Sequence, residues 1–279
     1  MKFGCHISIK EGYLGAAKKA HAMSAGAFQY FPKNPRSLSV KDFNQENAEL
    51  CKIFCEKTAI FSVSHSPYPT SLTPTNNDKR IQVIDSLLND LEITEACGSI
   101  GVVVHFGKPV PHLSLLESYQ LMIEMLNEIL SQWEGKAKIL LENNAGLPGA
   151  MGTTFEELVQ VRNLCEYPEK VGFCFDTCHA FSCGLWEGGN WDELLEKGMD
   201  LGYFEELEVI HFNNSKYAAR EGKDRHAPIF GKSGYITEDQ FHELIKTPQL
   251  ADIPFILETP KEEFTHEKEI QLLQERWGS

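Results

Sequence analysis

A chain of 279 residues with 42% hydrophobic content is long enough to bury a sizeable core, and its formal net charge of −14 speaks against a nucleic-acid affinity carried by a basic surface. No apolar run reaches the roughly eighteen residues of a membrane span, and MKFGCHISIKEGYLG at the start lacks a signal-peptide core, so a membrane-free, cytoplasmic protein is expected. The eight cysteines (5, 51, 55, 97, 165, 174, 178 and 183) are scattered, with no CxxC pair, and read as small buried hydrophobes rather than as disulfides or thiolate ligands.

In chain order, short apolar β-rich runs occur at Lys2 to Ile7, Ala27 to Phe31, Ile60 to Ser64, Ile100 to Val104, Lys138 to Leu141, Val171 to Phe175, Leu207 to Ile210 and Pro254 to Leu257. Helically spaced segments separate them, among them NDKRIQVIDSLLNDLEITEAC and LSLLESYQLMIEMLNEILSQW. Capping-box signatures open two more helices, at Thr154 to Glu157 and Thr237 to Gln240. Alternating strand and helix implies a parallel sheet. Eight such units fit an α/β fold of (β/α)8 TIM-barrel type, one domain over residues 1–279, although a doubly wound open sheet has the same local pattern.

The residue leaving each of the last six strands is of metal-ligand type: His65, His105, Glu142, Asp176, His211 and Glu258. In a parallel barrel all strand C-termini share one face, so these side chains converge. Loops add His179, three residues after Asp176, and Asp224 with His226, whose spacing of two turns both the same way in extended chain. Any one of these positions could be a helix cap or a satisfied polar group. Together they gather five histidines and four carboxylates, and burying four carboxylates without cations costs several kcal/mol. The set therefore points to two or three divalent metals, with zinc favoured by its nitrogen and oxygen donors and manganese or iron left open. His6, at the exit of the first strand, is either a support for this cluster or a group facing substrate.

The motifs GCHIS, FPKNPRS, SHSPY, LENNAG, FCFDTCHAF, IHFNNSK, DRH and ILET resemble, in order and spacing, the endonuclease IV family of apurinic/apyrimidinic endonucleases. The resemblance runs from Lys2 to beyond Glu258. It implies a zinc-dependent TIM-barrel enzyme that cuts double-stranded DNA on the 5′ side of an abasic site; a monomer is expected. It also implies three Zn²⁺ per chain, with Mn²⁺ or Fe²⁺ as alternatives at one site. By the same resemblance His65 and His105 hold one ion and Glu142 bridges to a second. Asp176, His211 and Glu258 complete the second; His179, Asp224 and His226 hold the third. Glu142 and Glu258 become the groups that orient or deprotonate the attacking water, Arg36 the DNA-inserting arginine, and Tyr68 with Pro69 the wedge at the abasic gap. The chain departs from the family pattern at Pro69, at Phe106 after His105, at Asn214, where His211-Phe212-Asn213-Asn214 loses a carboxylate, and in the spaced glycines Gly231 and Gly234.

Three loaded zincs would turn the four ligating carboxylates into a basin of charge +2. Lys33, Arg36, Lys108, Lys216, Arg220, Lys223 and Arg225 are expected on the rim around it. Two other readings compete: a xylose-isomerase-like sugar isomerase or epimerase, which leaves His179, Asp224 and His226 without a task, and a DNA-damage binding protein that keeps metals for structure.

Overall fold

The computed structural model describes residues 1–147 and 149–278; Pro148 and Ser279 of the expected 1–279 domain lie outside the described residues. Strands β1 (Lys2–His6), β2 (Ala27–Tyr30), β3 (Phe61–His65), β4 (Gly101–His105), β5 (Lys138–Glu142), β6 (Val171–Asp176) and β7 (Leu207–His211) join with β10 (Pro254–Leu257) in a closed barrel. Every neighbouring pair in it is parallel. The fold is therefore the closed (β/α)8 barrel and not the open sheet. Two further strands, β8 (Asn214–Ser215) and β9 (His226–Ala227), pair antiparallel in the loop between β7 and β10; this ribbon has no apolar run to announce it in the sequence.

The outer layer consists of α1 (Gly12–Ala22), α2 (Gln45–Thr58), α3 (Asn77–Ala96), α4 (Leu115–Leu130), α5 (Phe155–Leu164), α6 (Thr177–Cys183), α7 (Trp191–Asp200), α8 (Glu238–Ile245) and α9 (His266–Trp277). Both expected capping boxes form, and Ser114 with Glu117 makes a third at the start of α4, where Ser114 also halts the run Leu113-Ser114-Leu115 that reads as helix throughout. None of these helices is long and apolar enough to cross a membrane. Their buried faces and the outward barrel face share one large core that includes Phe155, Phe173, Tyr203, Trp186 and Phe241.

A second, smaller cluster fills the barrel interior with one residue from each of seven strands: Ala27, Val63, Val103, Leu140, Cys174, Val209 and Ile256. On the eighth strand the matching place falls to Gly4, where an added Cβ would lie 1.8 Å from the carbonyl oxygen of Ala27, so only glycine fits. Side chains two residues apart on a strand share a face. Two residues beyond this apolar plug, one layer nearer the strand C-termini, therefore stand His6, Gln29, His65, His105, Glu142, Asp176, His211 and, just past β10, Glu258.

Candidate metal centre

Strand register sets the deep part of the site. His105 pairs with Glu142 across β4 and β5, and Asp176 with His211 across β6 and β7, so donors arrive side by side. A register irregularity between Phe173 and Cys174 lies just before Asp176, the kind of local shift that re-aims a side chain at a barrel rim. Glu142 is at the centre. Its Oε1 lies 2.9 Å from His211 Nδ1, and its Oε2 lies 3.2 Å from His105 Nε2 and 3.5 Å from His65 Nε2. On the far side His211 Nδ1 is 3.3 Å from Glu258 Oε2 and 3.8 Å from Asp176 Oδ2.

The loop residues make a second group. α6 begins at Asp176, whose Oδ1 caps it by accepting from the His179 amide at 2.7 Å, and this turn carries His179 back over the barrel mouth. His179 Nε2 is 3.3 Å from Asp224 Oδ1, and His226 Nε2 is 3.5 Å from the same oxygen and 3.6 Å from Asp176 Oδ2. The antiparallel ribbon holds His226 in place, since His226 is the Cα partner of Ser215. The strand pairing thus fixes His226, while Asp224 precedes β9 in the loop.

The histidines are oriented by their outer nitrogens. Nδ1 of His65 lies 2.8 Å from the Ser66 carbonyl, Nδ1 of His179 lies 2.9 Å from the Asn143 carbonyl, and Nδ1 of His226 lies 3.4 Å from the Glu258 carbonyl. A carbonyl only accepts, so Nδ1 of His65 and of His179 carries a proton and Nε2 is left to face the cavity, as a metal ligand must; the His226 contact is too long to fix its tautomer in the same way. His211 is reversed. Its Nε2 donates to Gln29 Oε1 at 2.7 Å, which leaves Nδ1 facing the carboxylates.

The charges are mutually compensating. Burial works to raise the Glu142 carboxyl, yet His211 and His105 hold it well below the usual carboxylate range. Against the same burial, His211 and His65 draw Glu258 down to about 2, and His179 and His226 keep Asp224 low. In return, burial opposes protonation of His179, but Asp176, Asp224 and Glu142 lift it far above an ordinary imidazole. Four carboxylates at one mouth thus demand positive charge from protons or from cations.

The donor set fits cations on geometric grounds. Among the described residues, Glu142 Oε2 and His226 Nε2 are buried without a hydrogen-bond partner. The nitrogen-to-oxygen spacings from 3.2 to 3.6 Å around them are long for hydrogen bonds. Donors sharing one tetrahedral ion at about 2.1 Å stand roughly 3.4 Å apart, which matches. Three compact groups result: His65, His105 and Glu142; Glu142, Asp176, His211 and Glu258; and Asp176, His179 and His226, with Asp224 against the two histidines. Cys174 and Cys178 also approach these groups; burial pushes both thiols up to about 12, and Cys174 packs in the interior apolar plug.

Above the cluster opens a cavity of 370 Å³, lined by His6, Phe31, His65, Tyr68, His105, His179, Asp224, His226, Glu258, Lys261 and His266. Tyr68, Pro69 and Arg36 are exposed on two adjoining loops, tied by a 2.8 Å bond from the Tyr68 amide to the Pro35 carbonyl. The Tyr68 ring meets Phe31 edge-on at 5.1 Å.

The expected basic rim is thinner than the sequence suggests. Lys33 is buried, 3.1 Å from Asp90 Oδ1 and bonded to the Ser86 carbonyl at 2.6 Å. Arg220 pairs with Glu187 and Lys223 with Glu221. Arg36, Lys108 and Arg225 are exposed, and Lys261 faces the cavity. Sequence reasoning missed Lys261, Phe31, the buried amides Gln29, Asn143 and Asn213, and His266. Asn213 donates to Asp176 Oδ2 at 2.8 Å and accepts from the Glu258 amide at 2.8 Å; only its place in IHFNNSK hinted at a role.

The family described as "Xylose isomerase-like TIM barrel" matches residues 17–276. A protein named "Probable endonuclease 4" from Symbiobacterium thermophilum is 39% identical over 273 residues, covering 97% of each chain. Another of that name, from Clostridium botulinum, is 31% identical and covers 98% of each. Among solved structures, endonuclease IV from Thermus thermophilus superposes with a TM-score of 0.84 at 27% identity, over 99% of this chain and 98% of that one. A D-tagatose 3-epimerase-like protein shares the fold, with a TM-score of 0.70 at 22% identity, over 99% of this chain and 96% of that one.

Proposed function

The chain belongs to the endonuclease IV family of xylose isomerase-like TIM barrels, and on that premise we propose that it is a metal-dependent DNA repair endonuclease that hydrolyses the phosphodiester 5′ of an abasic site. The observation that carries the reading is the third donor group: His179 in α6, Asp224 in a loop and His226 in β9 lie beyond the barrel strands, and beyond what a one- or two-ion sugar isomerase needs. We assign His65 and His105 to one Zn²⁺, Glu142 as a bridge, Asp176, His211 and Glu258 to a second, and His179, Asp224 and His226 to a third; Mn²⁺ or Fe²⁺ remain alternatives at one position. When bound, such ions supply Lewis-acid stabilisation of the charge that develops on a phosphoryl group and activation of water.

The protein's own part is placement. Glu142 is almost wholly buried and holds imidazoles from three strands, whereas the Glu258 side chain is 20% exposed, so water reaches Glu258 rather than Glu142. Glu258 is the better placed of the two to receive the proton of the attacking water, and Glu142 serves to keep the donors together. The exposed Arg36, Tyr68 and Pro69 stand where a duplex would meet the cavity and can fill the gap left by an extruded sugar, at a cost of a few kcal/mol for the unstacking. We take the protein to act as a cytoplasmic monomer with no membrane attachment.

Turnover of an abasic-site duplex and of ketoses, measured with metal counted per chain, tests this. Cleavage 5′ of the abasic site with close to three ions per chain is the expected result. Ketose turnover with a single ion would establish the isomerase reading instead.

A further inference from the structure

Gln29 is the one residue of the inward ring of eight that cannot titrate, and it is completely buried. Its amide meets three members of that ring. Oε1 lies 2.7 Å from His211 Nε2; Nε2 lies 2.7 Å from Glu258 Oε1 and 3.2 Å from His6 Nδ1. The orientation of the amide is forced by chemistry, because turning it over would set its oxygen against the Glu258 carboxylate. The oxygen must therefore face His211, whose Nε2 must carry a hydrogen, and the NH2 group must face Glu258 and His6.

We infer that Gln29 is a positioning residue, which presents His211 to the metal cluster through Nδ1, holds the Glu258 carboxylate in line, and fixes His6 as the tautomer protonated on Nε2. Because Gln29 Nε2 donates to His6 Nδ1, the remaining ring nitrogen of His6 is a hydrogen-bond donor on a residue that lines the cavity. His6 is thereby given to the substrate: a neutral donor suits a phosphate or sugar oxygen and does not suit a metal. The His6 ring is steadied by Phe31, 4.5 Å away centroid to centroid, which in turn packs on His65 and Tyr68. One amide thus couples a metal ligand, a carboxylate at the water's position and a substrate-facing donor. Lysine or arginine in its place would offer no acceptor to His211, and a hydrocarbon would leave all three partners unpaired.

The inference rests on the proposed function in calling the cavity a substrate site, His211 a metal ligand and Glu258 the group that meets the attacking water; the hydrogen-bond geometry of Gln29 does not depend on it. The test uses the zinc-reconstituted full chain with Gln29→Met and Gln29→Glu. Long-range ¹H–¹⁵N spectra report the His6 tautomer and the position of the His211 Nε2 proton, and chelator competition reports Zn²⁺ affinity. In Gln29→Met we expect His6 to become a mixture of tautomers, the His211 Nε2 proton to lose its hydrogen-bonded downfield position, and one Zn²⁺ to be released about 10–100-fold more readily. Gln29→Glu keeps the acceptor, so it should leave the His211 proton downfield while still releasing His6. Should Gln29→Met prove unfolded, that separation in Gln29→Glu decides the matter. A folded variant with wild-type spectra and wild-type Zn²⁺ affinity would overturn the assignment. A wild-type protein with the expected His6 and His211 spectra but no cleavage of abasic DNA would sink the proposed function and leave the role of Gln29 standing.

Discussion

The deep and the outer parts of the candidate metal centre are built on different principles. His65, His105, Glu142, Asp176 and His211 are strand termini, and register places them: each sits two residues beyond an interior plug residue, and His105 lies beside Glu142 and Asp176 beside His211 on neighbouring strands. His179, Asp224 and His226 have no barrel register, and depend on the Asp176 cap, the Asn143 carbonyl and the short β8–β9 ribbon. A barrel supplies convergence without effort at its strand ends. Anything reaching inward from a loop must be held by local hydrogen bonds, and Asp224 remains 55% exposed while Glu142 is 1% exposed.

If that contrast is right, damage should grade with depth. Glu142→Gln should be the most harmful, because Glu142 touches all three groups of donors. Losing several kcal/mol of charge stabilisation corresponds to a fall of about a thousandfold in cleavage rate, with more than one ion lost in elemental analysis. A variant that retains every ion would show that the carboxylate does not bridge. Asp224→Ala should remove a single ion and lower the rate by about a hundredfold, the low end of the effect of deleting one stabilising group at a reacting centre, with circular dichroism unchanged. Loss of the whole complement in Asp224→Ala would erase the distinction between the two parts.

Further out, Arg36→Ala tests the exposed loops. It should weaken cleavage of abasic duplex by about tenfold, equal to roughly 1.4 kcal/mol, and leave hydrolysis of a small phosphodiester unchanged. Equal losses on both substrates would remove Arg36 from recognition.

The smallest effect on turnover is expected from the Lys33–Asp90 pair beneath that loop, where the consequence is for stability. Burial raises Asp90 to about 7 despite the opposing pull of Lys33, and burial lowers Lys33 from its ordinary value. An acid with a folded-state pKa above its unfolded value of about 4 binds its proton more tightly in the native state. Its contribution to stability therefore falls as pH rises from about 4 to about 7 and is constant above that. Lys33→Met removes the main influence holding this pKa down, so the gap in Tm between variant and wild type should widen from pH 6 to pH 8.5. A gap that narrows would mean that the pair is not electrostatically coupled.

The deep site was largely legible because its information is one-dimensional. A β-rich run ending in His, Asp or Glu states both the strand and, by the period of two, the direction of the side chain. The same rule points Gln29 inward, two residues after Ala27, but a neutral amide is not a metal-binding type and so carries no local sign of its task. Lys33 shows the opposite failure. Its neighbours in FPKNPRS suggest a surface loop, and nothing local reveals Asp90, which arrives from α3.

The sequence by itself determined the alternation of strands and helices, the chemistry gathered at the strand exits and the family, since these depend on local periodicity and residue type. Closure of the sheet, the pairing of His105 with Glu142, the choice of Nδ1 or Nε2 on each histidine and the burial of Lys33 were decided only by tertiary structure. Each of these is a distance between segments remote in the chain. Such distances follow from shared packing of the whole barrel, which no local stretch encodes.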